Sequence, residues 1–108
     1  KTLANKNYRK VLHTTTQQQL VVMCLKPHED IPAETHKHTT QFIRIEKGSA
    51  QITLSDKKYN LSDGDIIIIP ANTQHYVRNS SKTQPLQLYT IYSPPEHPPG
   101  LTQKTQPK

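Results

Sequence analysis

Apolar and polar residues alternate along most of this chain with a period of two, the pattern of strands that face a core on one side. Short runs of this kind cover residues 8 to 13, 18 to 26, 31 to 37, 41 to 47, 49 to 55, 57 to 61, 66 to 70, 74 to 79 and 86 to 93, punctuated by turn residues. No segment carries a helical period. Residues 65 to 70 differ, because four consecutive isoleucines read as a strand buried on both faces. Glu46-Lys47-Gly48-Ser49 and Leu61-Ser62-Asp63-Gly64-Asp65 are the clearest turn signals. Many short strands at even spacing predict an all-β sandwich or barrel, one domain over residues 1 to 100.

Chemistry concentrates in two places on this pattern. In an extended strand, Glu34, His36 and His38 share one face, so a carboxylate and one or two imidazoles are presented in parallel. Gln41 follows at the start of the next alternating run. Further on, Pro70-Ala71-Asn72 breaks the isoleucine strand, since proline lacks an amide donor and asparagine tolerates the left-handed turn conformation. His75 then opens a new strand. Imidazole nitrogen and carboxylate oxygen are the usual donors for divalent Fe, Mn, Zn, Ni or Cu.

The segment Glu34 to Gly48, followed by Gly64 to Asn79, resembles the two signature motifs of the cupin superfamily. Aligned on Gly48, the family's glutamate position falls on Gln41, its second histidine on His36 and its first histidine on Glu34. The second motif maps without a gap onto Gly64, Pro70, Asn72, His75 and Asn79, with Asn72 in place of a turn glycine. The resemblance implies a double-stranded β-helix (jelly-roll) barrel and a divalent transition metal (Fe, Mn, Zn or Ni) held by Glu34, His36, Gln41 and His75. It also leaves a second register open, in which His36 and His38 form the pair. His38 is then a reserve ligand, or a proton carrier beside the metal. Two departures from the family pattern stand out: glutamate replaces a histidine, and glutamine replaces the carboxylate, so Gln41 offers a weaker oxygen donor.

Beyond the motifs, residues 7 to 12, 19 to 27, 41 to 46 and 88 to 98 resemble a subgroup of small RmlC-like cupins labelled mannose-6-phosphate isomerase-like. That label records similarity to part of a larger enzyme, and two function classes remain for the candidate site. One is a metal-dependent enzyme acting on a small molecule, isomerase-like or dioxygenase-like. The alternative is a module that binds or senses a metal or a sugar-like ligand without turnover. Fold-level likeness does not choose between them.

Composition narrows the setting. The chain has 108 residues, 31% of them hydrophobic, and nine prolines. A core this lean favours a homodimer, which the resemblance also implies. The net charge of +6 sits at the ends: between residues 11 and 100, eight basic residues face eight acidic ones. No clustered basic face is expected, which argues against a nucleic-acid partner. No apolar stretch approaches a membrane span, so a cytoplasmic protein without membrane contact is expected. Cys24 lies in an apolar run and reads as a small buried hydrophobe. His13, His28 and His97 lack motif context. Arg44 and Glu46 fall on the strand face opposite Gln41, and Tyr76 is expected to point away from His75. The segment Ser93 to Gly100 is too proline-rich for a sheet and reads as a semi-rigid arm, able to cap the barrel mouth or reach a partner. Residues 101 to 108 read as a flexible tail.

Overall fold

The computed structural model describes residues 1–107. Ten strands follow in order: β1 (Arg9–Thr14), β2 (Gln19–Leu25), β3 (Asp30–Glu34), β4 (Thr40–Lys47), β5 (Ala50–Leu54), β6 (Lys57–Leu61), β7 (Ile66–Ile69), β8 (His75–Asn79), β9 (Leu86–Ser93) and β10 (Thr102–Gln103). They form two antiparallel sheets, one ordered β10-β1-β2-β9-β4-β7 and the other β3-β8-β5-β6. This is the expected all-β jelly roll. Among the described residues, no helix is long and apolar enough to cross a membrane.

The register explains where the core ends and the chemistry begins. Residues directly opposite across a ladder share a face. In the larger sheet, Met23, Leu88 and Ile45 form one inward row, and Val21, Thr90 and Ile43 form the next. All six are fully buried. One step further, the inward row becomes polar: Gln19, Tyr92 and Gln41 stand abreast, each at most 2% exposed. The smaller sheet answers with Glu34 and His75, paired across β3 and β8. Polar groups from both sheets therefore meet at one end of the sandwich.

Three expectations are corrected. The isoleucine strand is not buried on both faces. It pairs only with β4 and forms a sheet edge, so Ile67 and Ile69 face the core while Ile66 and Ile68 remain 54% and 58% exposed. A continuous apolar run cannot by itself tell an edge strand from a central one. The predicted strand over 31 to 37 stops at Glu34, and His36 stands in the connection to β4. Finally, the supposed tail is in place over its start: Thr102 and Gln103 pair with Lys10 and Arg9 as β10, and Leu101 packs on the core. The last residue of that predicted tail, Lys108, lies outside the described residues.

Gly48 turns β4 into β5 at φ +116°, and a Cβ there would stand 2.7 Å from the carbonyl oxygen of Pro85. Neither the angle nor the space admits a side chain. Cys24 is buried and free, with its thiol pushed up in pKa by burial.

Candidate metal centre

A register shift between Ile31 and Glu34 re-aims the end of β3, so that Glu34 faces His75 across the ladder. The chain then leaves the sheet, and His36 is fixed by its backbone: the amide of Asn72 donates to its carbonyl at 2.7 Å. Asn72 can do this because it sits in the left-handed region, at φ +65°. The two half-sites are thereby tied together.

Glu34 Oε1 lies 3.3 Å from His36 Nε2 and 3.6 Å from His75 Nε2. One donor atom from each of the three residues falls within a 4.8 Å cluster. His75 is 2% exposed, and its Nδ1 faces the carbonyl oxygen of Thr73 at 3.2 Å. That acceptor calls for a proton on Nδ1 and leaves Nε2 with its lone pair toward Glu34. Gln41 stands on the polar inward row of β4. Its Nε2 donates to Thr90 Oγ1 at 3.0 Å, which orients the amide and leaves Oε1 free.

Burial alone would raise the pKa of Glu34, but its contacts with His36 and His75 outweigh that and hold it well below the ordinary carboxylate range. The Glu34 carboxylate in turn raises the pKa of His36 against the opposing effect of burial, with Glu96 adding to the rise. Without a metal, the site is an ion pair.

Gln41 Oε1 is buried without a hydrogen-bond partner, and His36 Nε2 and His75 Nε2 face nothing but the Glu34 carboxylate, at distances too long for good hydrogen bonds. A buried acceptor left unpaired, as Gln41 Oε1 is, costs roughly 1–3 kcal/mol. Two imidazole nitrogens, a carboxylate and an amide oxygen match the donor set of a divalent transition metal. The residues fit such an ion.

Of the residues singled out by sequence, Glu34, His36 and His75 are brought together, while Gln41 stands buried on the polar inward row of the larger sheet. His38 is exposed and outside the cluster, so the Glu34/His36 register is the one the fold presents. Tyr76 points away and donates to Asp30 at 2.8 Å. Arg44 pairs with Glu46 at 2.9 Å on the opposite face of β4, while His13 and His28 are exposed.

Sequence reasoning missed Arg9, Gln19, Tyr92 and Glu96 and undervalued His97. The ring of His97 stands 5.1 Å from that of Tyr92, which stands 5.7 Å from His36. Burial, then the charge of Arg9, pushes His97 down to about 4. Arg9 is 8% exposed, and its Nε is buried without a hydrogen-bond partner. Its guanidinium bonds the neutral Gln103 and lies 5.2 Å from the Tyr8 ring centre. Among the described residues, no carboxylate comes within ion-pairing distance of it. Only the proline arm gave a sequence signal, as a segment able to reach the mouth.

Residues 21–92 match the family described as Cupin domain. The mimivirus protein L612 (Acanthamoeba polyphaga mimivirus), described as uncharacterized, is 54% identical over 103 residues, covering 92% of this chain. The chain spans 64% of that relative. Quercetin 2,3-dioxygenase of Bacillus subtilis is 30% identical over 100 residues, 80% of this chain and 30% of the enzyme. A crystal structure of BH2720 from Bacillus halodurans superposes with a TM-score of 0.92 at 36% identity, over 95% of this chain and 82% of that one.

Proposed function

We propose that this chain, which belongs to the cupin family, holds one divalent transition metal by Glu34, His36, Gln41 and His75 and acts on a small molecule within the barrel. The observation that carries the reading is the convergence of two buried imidazole nitrogens, His36 Nε2 and His75 Nε2, on the Glu34 carboxylate. Bound there, the metal would supply Lewis-acid polarisation of a substrate oxygen, or oxygen activation in the case of iron.

The chain's own residues define the rest. Glu34 is held as a carboxylate by two imidazoles. The backbone carbonyl of Thr73 orients His75, and Thr90 orients Gln41. Tyr92 is kept protonated by burial, and His97 is kept neutral beside it. Arg9 is a buried cation without a carboxylate partner, a costly arrangement that an anionic ligand would relieve. This favours a small carboxylate-bearing molecule over a neutral sugar. The likeness to a dioxygenase favours an oxygen-using enzyme over an isomerase-like one. The non-catalytic reading uses the same donors and the same anion.

The chain pairs with a second copy through the outer face of its larger sheet. Leu20, Ile91, Phe42 and Ile68 form an unbroken apolar row across four strands, ending on the exposed β7 edge. Such a row on an open edge is a docking surface.

The test is a cobalt(II) titration of metal-free protein followed by visible absorption, then addition of malonate or a neutral sugar. Binding of one equivalent, with a spectrum that malonate perturbs and the sugar does not, supports the reading. Absence of a cobalt spectrum, with the fold intact, overturns it.

A further inference from the structure

The chain beyond β9 returns across the mouth of the barrel, and the contacts that hold it are built from buried side chains. Gln19, 1% exposed on the polar inward row, spends its whole amide on this task. Its Nε2 donates to the carbonyl of His97 at 2.6 Å and to Thr14 Oγ1 at 3.0 Å. Its Oε1 accepts from the amides of Glu96 at 3.2 Å and His97 at 3.0 Å. A primary amide has two N–H donors and two lone pairs, and all four are used. Thr39, 3% exposed, adds a hydrogen bond from Oγ1 to the carbonyl of Pro94 at 3.1 Å.

What this clamp delivers is the Glu96 side chain. Glu96 Oε2 stands 3.4 Å from His36 Nδ1, on the other side of the imidazole from Nε2 and Glu34. It is therefore not placed as a further donor to the metal cluster. Its reach is to the nitrogen that must carry a proton when Nε2 offers a lone pair. His75 has a fixed acceptor for the same purpose in the Thr73 carbonyl. Among the described residues, Glu96 is the one carboxylate within ion-pairing distance of His36 Nδ1.

We propose that Glu96 is a positioning residue for His36, holding the Nδ1–H form of the ring so that Nε2 faces Glu34 and His75, and that Gln19 is the anchor that keeps Glu96 there. The consequence for metal affinity rests on the metal reading given above; the tautomer does not. The hydrogen bond made by one ring nitrogen decides which form the other takes, and the loss of such a partner typically lowers metal affinity 10–100-fold. A role in packing alone would leave affinity unmoved, since Glu96 is at the surface of the strap.

The experiment compares the parent with Glu96→Gln, Glu96→Leu and Gln19→Leu. Zinc affinity is measured by competition with a chelator, and the imidazole nitrogens of His36 by 15N correlation spectra of the metal-free protein at alkaline pH, where the ring is neutral. The expected result is zinc binding weakened roughly 10–100-fold in Glu96→Leu, retained within a few fold in Glu96→Gln, whose amide oxygen still accepts, and weakened in Gln19→Leu. The spectra should show a larger share of Nδ1–H in the parent than in Glu96→Leu, where Glu34, 3.3 Å from Nε2, is the one carboxylate left beside the ring. Parent-like affinity and an unchanged tautomer in Glu96→Leu overturn the proposal. If the parent binds no zinc, the metal reading fails by itself, and the nitrogen spectra alone decide the role of Glu96.

Discussion

The backbone amide of Asn72 donates to the carbonyl of His36 at 2.7 Å, and this one bond joins the turn after β7 to the connection that carries a ligand imidazole. The geometry depends on a left-handed residue at position 72. Asn72→Gly should be tolerated, because glycine takes this conformation freely, whereas Asn72→Val should cost about 1–3 kcal/mol and weaken metal binding with it. Thermal unfolding and zinc titration of the two variants check this.

The ligand set predicts a graded series. His36→Ala and His75→Ala should each abolish tight binding while circular dichroism stays that of the parent. His38→Ala should leave affinity within a few fold, since that ring is exposed and outside the cluster. Gln41→Glu should strengthen binding by restoring a carboxylate, with Thr90 Oγ1 able to donate where it now accepts. Loss of binding on His38→Ala alone would sink the assignment.

Metal binding must also compete with a proton. Glu34 raises the pKa of His36, and a ligand imidazole must be neutral. Affinity should therefore keep rising with pH through and above about 6.5, the ordinary imidazole value. Zinc titrations in a pH series give the slope directly, and a flat profile would mean that His36 is not a ligand.

His97 gives a separate pH signature. Its folded pKa of about 4 lies below the ordinary value, so between the two the unfolded chain binds a proton that the folded protein refuses. Stability is full above about 6.5 and declines as pH falls toward 4. In His97→Phe that part of the decline should vanish, a difference of about 1 kcal/mol once partial exposure of the ring is allowed for. Parallel denaturation curves at pH 7 and pH 4.5 for the parent and variant measure it.

These predictions draw unequally on the sequence. Strand positions were legible because the period of two survives in Gln41 to Glu46 and Leu86 to Ser93, and the turns carry Gly48, Gly64 and Asn72. Glu34, His36 and His75, which the fold groups, were named with Gln41 through the resemblance to the family's two motifs. The register between Glu34 and His38 was not, since it depends on where β3 ends. Ile66 and Ile68 were misread because nothing local distinguishes an edge strand. Gln19 was hidden for another reason: its partners at Glu96 and His97 are more than seventy residues away, and only the folded sheet brings them together.

The outer apolar row makes the association prediction specific. Ile68→Lys places a charge at the exposed end of the row formed with Phe42 and Ile91, without entering the core. Sedimentation should show a dimer for the parent and a monomer of unchanged fold for the variant. A parent that sediments as a monomer at micromolar concentration would remove this surface as a contact between copies.

The central claim is a divalent transition metal held by Glu34, His36, Gln41 and His75, and elemental mass spectrometry of tag-free protein tests it most directly. It should be run on the parent and on the His36→Ala/His75→Ala double variant, each before and after chelation and reconstitution with iron, manganese, zinc and nickel. The account predicts close to one metal per chain in the parent and essentially none in the folded double variant. No uptake by the folded parent, or equal uptake by both proteins, would contradict it.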